Sequence, residues 1–161
     1  MAQSIPARDQ LDPKHTWNLT DLFPSDEAWQ AEFTRLRESL KQLAGYKGRL
    51  GESARTLLEF LRMQDQLDVD GDRLLSYAFR KTDQDTREAV YQEMSAQARN
   101  FVVEWEQALA FVTPEVLAIE EDRLAAFYQD QPDLEHYRLL LTRIRRKKEH
   151  TLSAEGENLL A

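Results

Sequence analysis

The feature that most constrains the fold of this chain is the stretch between Gly71 and Pro114, which contains no glycine and no proline. Apolar residues recur at helical spacing on both sides of a polar segment, TDQDT, whose aspartates supply turn and capping chemistry. The stretch therefore predicts a long helical hairpin. Its second arm, from about Asp85 to Val112, would be about 40 Å long and would need a packing partner along its length. The apolar stripe of this arm comprises Val90, Met94, Ala98, Phe101, Trp105, Ala108 and Val112.

Apolar residues at helical spacing also precede this hairpin. Ser25 is a capping residue for a first helix, which should end near Gly45, where glycines become frequent. Its apolar stripe is Trp29, Phe33, Leu36, Leu40 and Leu43. Ser53 then caps a second helix. The apolar residues of that helix are Leu57, Leu58, Leu61 and Leu67, followed by Leu74, Leu75, Ala78 and Phe79. Because Gly71 interrupts this second pattern, a bend or break is predicted between Met63 and Gly71.

Two further helix starts follow the hairpin. Thr113 and Pro114 form a cap and first-turn proline. Pro132-Asp133 repeats the signal before an apolar pattern of Tyr137, Leu140, Leu141 and Ile144. No alternating pattern typical of strands appears, and no period of twenty to fifty residues repeats. The predicted fold is therefore all-α, a multi-helix bundle with a long central helical hairpin and no sheet.

The chain divides into three predicted parts. Residues 1–15 are polar and aperiodic and should form a flexible N-terminal arm. Residues 16–150 form the helical domain, and residues 151–161 begin a further helix capped by Ser153, of which barely two turns are present. The first residues expected to anchor the arm on the domain are Trp17, Leu19, Leu22 and Phe23.

Composition and charge exclude several classes of protein. The chain has no cysteine, which removes disulfide scaffolds and thiolate zinc sites and is compatible with a cytoplasmic location. A formal charge of -8 opposes attraction to phosphate backbones, so nucleic acid is not an expected partner. No apolar run reaches the roughly 18 residues of a membrane span, so no membrane association is expected either.

The chain offers no complete set of catalytic or metal-binding residues. His15, His136 and His150 never occur in the four-residue spacing of a zinc-binding helix. In the DVDGD segment the glycine comes too early for a calcium loop, so these acids are predicted to form a solvated bend. Neither a nucleophile-elbow serine nor a phosphate-binding glycine loop is present. We therefore predict no catalytic, cofactor-binding or metal-binding residue in this chain.

A basic run, Arg143 to Lys148, is the strongest charge feature. It could bind an anionic peptide or phosphate. Alternatively, it could offset helix dipoles and pair with the acid-rich stretch from Glu115 to Glu135. The second, structural interpretation is favoured, because charge runs usually mark a solvated face.

Four segments, taken together and in this order, resemble one protein family. They are TWNLTDLFPSDEAW near the start, YKGRLGES after the first helix, LLSYAFRKTDQDT in the middle and RRKKEHTLSAEGENLLA at the end. From about Thr16 to Ala161 the chain is similar to the N-terminal domain of the oligoendopeptidase F family, relatives of the thimet-type zinc metallopeptidases. Gly156 departs from the pattern, because an acidic or helix-favouring residue is expected after HTLS.

The resemblance implies a cytoplasmic zinc endopeptidase that hydrolyses short peptides in a channel between helical lobes. Zinc would be held by the two histidines of an HExxH helix and a further glutamate, none of which lies in this sequence. The chain would then be a non-catalytic wall or lid of the channel, its partners being its own C-terminal catalytic domain and oligopeptide substrates. Residues 151–161 would lead into that absent domain.

Two alternatives remain open from the sequence. The chain could be a stand-alone helical module that presents a groove to a partner protein. It could also be a regulatory fragment that binds peptides without cutting them. A reading frame that continues past Ala161 into an HExxH helix would favour the peptidase over both.

Overall fold

The computed structural model describes residues 10–146, which fold into helices and short turns. Six α-helices follow one another: α1 Asp26–Ala44, α2 Ala54–Gln84, α3 Ala89–Leu109, α4 Val112–Ala118, α5 Glu121–Asp130 and α6 Arg138–Arg146. Within residues 10–146 no strand occurs, so the all-α prediction is confirmed. The chain forms two compact units, Met1–Gln42 with Asp65–Ala108 and Leu43–Gln64 with Leu109–Ala161, and α2 contributes residues to both.

The first helix, α1, forms as its sequence predicts. The side-chain oxygen of Ser25 accepts a hydrogen bond from the backbone N–H of Ala28 at 3.2 Å, and the helix ends at Ala44, directly before Gly45. Every residue of the predicted stripe is buried, from Trp29 to Leu43. The indole N–H of Trp29 also donates to the backbone oxygen of Leu74 at 2.9 Å, which satisfies its polar edge inside the core.

The second helix, α2, runs without interruption through Gly71, so the predicted bend or break between Met63 and Gly71 is wrong. The glycine serves packing instead. A Cβ built at Gly71 would lie 2.2 Å from Cζ3 of Trp105 on α3. Only a residue without a side chain lets the indole ring approach the backbone this closely, and that approach offsets the usual cost of glycine in a helix.

The third helix, α3, completes the predicted hairpin but is shorter than expected. It spans Ala89–Leu109, so at about 1.5 Å per residue it is about 30 Å long. Pro114 explains the early end, because in a continuous helix its ring would clash with the carbonyl of Ala110. Met94, Ala98 and Phe101 are buried as predicted, whereas Val90 is 58% exposed.

In the second unit, α4 begins one residue before the predicted cap. Thr113 lies inside the helix and Phe111 occupies the N-cap position without a side-chain hydrogen bond. The chain turns here because Phe111 and Val112 are both buried. The other predicted start, at Pro132, opens a 3-10 helix, Pro132–Tyr137, that leads directly into α6.

A carboxylate holds the loop between α1 and α2 against α4. Glu115 accepts hydrogen bonds from the backbone N–H groups of Gly48, at 2.5 Å, and Leu50, at 3.2 Å. Gly48 has a φ of +82°, a conformation that favours glycine. The loop then ends at Ser53, whose hydroxyl accepts from the backbone N–H of Thr56 at 3.0 Å and caps α2 as predicted.

The segment before α1 is anchored by fewer residues than predicted. Leu19 and Phe23 are buried and Leu22 is half-buried, but Trp17 is 72% exposed, so its prediction as an anchor is wrong. Of the predicted arm, residues 1–9 lie outside the described part of the chain, and Pro13–His15 form a 3-10 turn. The predicted helix start at 151–161 also lies outside the described residues.

Candidate functional site

The histidines do not assemble a metal site in the described part of the chain. His15 is exposed beside the first 3-10 turn, and the ring of His136 meets that of Tyr137 edge-on, with centroids 5.1 Å apart. Within residues 10–146, no three histidine, aspartate or glutamate side chains are grouped so that they could hold an ion. His150 lies outside that range.

The acids of the DVDGD segment lie on one continuous helix, so the prediction of a solvated bend is wrong. Asp70 pairs with Arg35 of α1, with 2.5 Å between the carboxylate and guanidinium groups. Asp68 is half-buried, and this loss of water raises its pKa, as do the nearby charges of Asp65 and Asp72. The side of α2 that carries Asp65, Asp68 and Asp72 therefore has a concentration of negative charge.

A partly buried polar cluster fixes α1 to the C-terminal half of α2. The Tyr77 hydroxyl donates to Oδ1 of Asp26 at 2.7 Å, and Nζ of Lys81 lies 3.0 Å from the same oxygen. Burial, together with the hydrogen bond to Asp26, raises the pKa of Tyr77 to about 12. Burial lowers the pKa of Lys81, but its bonds to Asp26 and Tyr91 outweigh that effect and raise it overall. All three groups are engaged with one another, so the cluster is structural.

The basic run contributes to the fold through Arg145. Its guanidinium donates to the backbone oxygens of Val116 and Ile119, at the C-terminal end of α4, and lies 3.6 Å from the carboxylate of Glu121. A cation in this position satisfies carbonyls that the helix leaves unpaired and offsets its dipole. This observation supports the structural interpretation for Arg145. Lys147 and Lys148 lie outside the described residues.

A groove of about 640 Å³ lies between α5 and α6 in the second unit. Its wall includes Tyr128, whose ring lies 4.1 Å from the guanidinium carbon of Arg138, and Arg138 is itself paired with Glu135. Most of the charged groups that line this groove are thus already paired with one another.

An open groove with a largely apolar lining lies in the first unit, and we call it the Trp17 groove. It has a volume of about 800 Å³ and lies between the segment before α1 and one side of α2. Its lining includes Trp17, Leu22, Asp72, Leu75 and Phe79. The sequence signal for it was present, since the aromatic and aliphatic residues from Trp17 to Phe23 were singled out, but these were expected to be covered by the domain itself.

No helix among the described residues is both long and apolar enough to cross a membrane.

Comparison with known proteins gives consistent results for sequence and structure. A family model described as oligopeptidase F, Peptidase_M3_N, matches residues 115–161. Oligopeptidase PepF of Bacillus subtilis is 39% identical over 160 residues, which cover 99% of this chain and 24% of that protein. The group B oligopeptidase PepB of Streptococcus agalactiae is 33% identical over 96% of this chain and 26% of its own length.

Two solved structures are similar to this chain. The crystal structure of oligoendopeptidase-F from Enterococcus faecium matches 84% of the chain and 27% of its own length, with a TM-score of 0.70 and 31% identity. A Chlamydophila abortus protein matches 98% of the chain with a TM-score of 0.83, and its 21% identity supports the fold alone. The chain thus spans about a quarter of the length of the relatives it matches.

Proposed function

Because this chain belongs to the oligoendopeptidase F family and corresponds to its N-terminal domain, we propose that it is the non-catalytic part of a longer, zinc-dependent oligoendopeptidase. The observation that carries the proposal is the match to Bacillus subtilis oligopeptidase PepF, which covers 99% of this chain but only 24% of that relative. The remaining three quarters of such a protein provide room for a catalytic domain.

The donor groups of residues 10–146 do not fit a zinc ion. Among the described residues no grouping of histidine and carboxylate side chains could hold one, and the sequence contains no HExxH segment. The proposal therefore assigns the zinc ligands and the chemistry of hydrolysis to the polypeptide outside this chain. It also assigns the whole protein to the cytoplasm, with oligopeptides as its substrates.

We assign this chain a restrictive role, as part of the wall or lid of the channel that peptides enter. Two contacts between helices of the first unit support rigidity. Arg37 of α1 pairs with Glu104 of α3 at 2.8 Å, and the Thr82 hydroxyl of α2 donates to the backbone oxygen of Tyr91 at 2.8 Å. A wall that excludes folded proteins must keep its shape, and paired helices with buried apolar stripes provide this.

Deletion of this domain from the long protein tests the role. We expect the remaining protein, if it folds, to keep its zinc and to accept longer peptides than the intact protein does. The measurements are zinc content per protein and the rates of hydrolysis of a series of peptides of increasing length. Loss of zinc from a folded remainder, or an unchanged limit on peptide length, would contradict the wall or lid role.

A further inference from the structure

The Trp17 groove presents a large aromatic side chain in an ordered setting. Trp17 is 72% exposed, yet the residues that follow it are fixed. The side-chain oxygen of Asn18 accepts from the backbone N–H of Thr20 at 3.2 Å and caps the 3-10 turn Leu19–Asp21, while Leu19 is buried. Trp17 lines one groove together with Leu22, Leu75 and Phe79, and a contiguous exposed apolar patch of this kind, unlike a single exposed residue, marks an interaction site.

The walls of the groove are apolar and only partly covered. Leu22 lies before α1, and Leu75 and Phe79 lie one turn apart on α2; all three are half-buried. At about 800 Å³, the groove has room for several side chains of a partner. The apolar walls favour an occupant that inserts aliphatic or aromatic groups.

The charge at the rim favours an occupant that also carries cations. Asp21 and Asp72 both line the groove. Among the lining residues Arg80 is the one cation, and it lies 3.1 Å from Asp83 and 5.9 Å from the centre of the Trp17 ring. Its charge is therefore already partly offset, which leaves the rim negative. A lysine or arginine of the partner would complement it.

We infer that the Trp17 groove is the docking surface for an apolar, basic segment of the same polypeptide, from the part of the protein that follows Ala161. This inference rests on the proposed function, since it requires the longer protein. In relatives about three quarters of the polypeptide lies outside the matched region, which leaves room for such a segment. A permanent partner would also explain why the side chain of Trp17 stays exposed although the first unit fixes the backbone beside it.

Fluorine NMR of protein labelled with 5-fluorotryptophan tests the inference. The signal of Trp17 is assigned with the Trp17→Phe variant and its exposure is read from the change in shift between H₂O and D₂O. We expect a full solvent shift in the 161-residue chain and its loss in the long protein. A full solvent shift in the long protein would overturn the inference.

The same samples separate docking from substrate binding and from the proposed function. Protection of Trp17 that appears only after addition of an acetylated Lys-Leu-Phe-Lys amide would make the groove a peptide site and overturn docking. Zinc content and peptide hydrolysis are measured in parallel. An active zinc protein with exposed Trp17 contradicts docking alone, whereas a protected Trp17 in an inactive, zinc-free protein contradicts the proposed function alone.

Reversal of the charge at Asp72 tests whether the docked segment is basic. Asp72→Lys should lower the thermal midpoint of the long protein by roughly 2–4 °C, and should shift that of the 161-residue chain by no more than about 1 °C. Glu106→Lys on α3 is the matched control, since Glu106 is exposed and does not line the groove. Glu106→Lys should change the thermal midpoint of the long protein and that of the 161-residue chain by the same amount. Equal shifts from Asp72→Lys in both forms would contradict a basic partner.

Discussion

Substitution of Gly71 by alanine should destabilise this chain, against the usual direction of that change in a helix. Alanine is ordinarily favoured over glycine by about 1 kcal/mol in a helix interior. Here the new Cβ would lie 2.2 Å from Cζ3 and 2.5 Å from Cη2 of Trp105. Carbon atoms do not approach this closely, since their optimal separation is about 3.5–4.0 Å, so the ring or the helix must move.

The size of the effect follows from two opposing contributions. Insertion of one methyl group into a well-packed contact costs about 1–3 kcal/mol, and the gain in helix propensity returns about 1 kcal/mol. Trp105 also packs against Phe101, with ring centroids 5.6 Å apart, so the indole has limited freedom to yield. We expect a net loss of up to about 2 kcal/mol in the free energy of unfolding.

A double-mutant cycle measures this interaction by urea unfolding followed by circular dichroism. Trp105→Leu removes the ring atoms that meet the new Cβ, so in that background Gly71→Ala should be neutral or stabilising by up to about 1 kcal/mol. Gly51→Ala is the control, because its Cβ would lie at an ordinary 3.6 Å from Ile119. If Gly71→Ala stabilises the otherwise unchanged chain, the close approach to Trp105 does not exist.

Three further substitutions test the contacts that hold each unit together. Glu115→Ala should lower the free energy of unfolding by about 1–3 kcal/mol, because two backbone N–H groups lose their acceptor; denaturant unfolding measures it, and no change would contradict the loop contact. Tyr77→Phe should cost about 1 kcal/mol near neutral pH through the lost bond to Asp26. Because the pKa of Tyr77 is raised to about 12, its contribution is complete below about pH 10 and is lost as the pH rises towards 12. The variant should therefore show a smaller alkaline loss of thermal midpoint, and equal losses would contradict the raised pKa. Arg145→Ala should lower stability by about 1 kcal/mol through the α4 carbonyls, whereas Arg143→Ala, at an exposed position, should have little effect; equal effects would refute the capping role.

The local signals of α1 were sufficient to predict it. A serine cap, an apolar stripe and a terminal glycine all depend on residues within the helix itself, and all three were confirmed by the structure. The hairpin was predicted from local signals of the same kind. No glycine or proline lies between Gly71 and Pro114, so helical structure is favoured in both arms.

Sequence alone failed where a distant residue decides the outcome. Gly71 was expected to interrupt α2, because its cost in a helix is a local property, whereas the compensation comes from Trp105 on another helix. Pro114 was expected to follow a cap at Thr113, but burial of Phe111 and Val112 places the turn earlier. Both errors concern tertiary packing that overrides a local preference.

The candidate surface was predicted least well. The aromatic residue Trp17 was expected to anchor the arm, because a large apolar side chain is normally buried by its own domain. Its exposure could not be read from the sequence, since the pattern that marks a buried tryptophan is the same whether the covering residues lie within the domain or in another part of the protein.

The most direct test of the account compares the 161-residue chain with the longer product of the same reading frame, measuring zinc per protein and the hydrolysis of oligopeptides in both. We predict a zinc-free, inactive short chain and a zinc-loaded, active long protein. Stoichiometric zinc in the short chain, or peptide hydrolysis by it that a chelator abolishes, would contradict the assignment of catalysis to the polypeptide outside this domain.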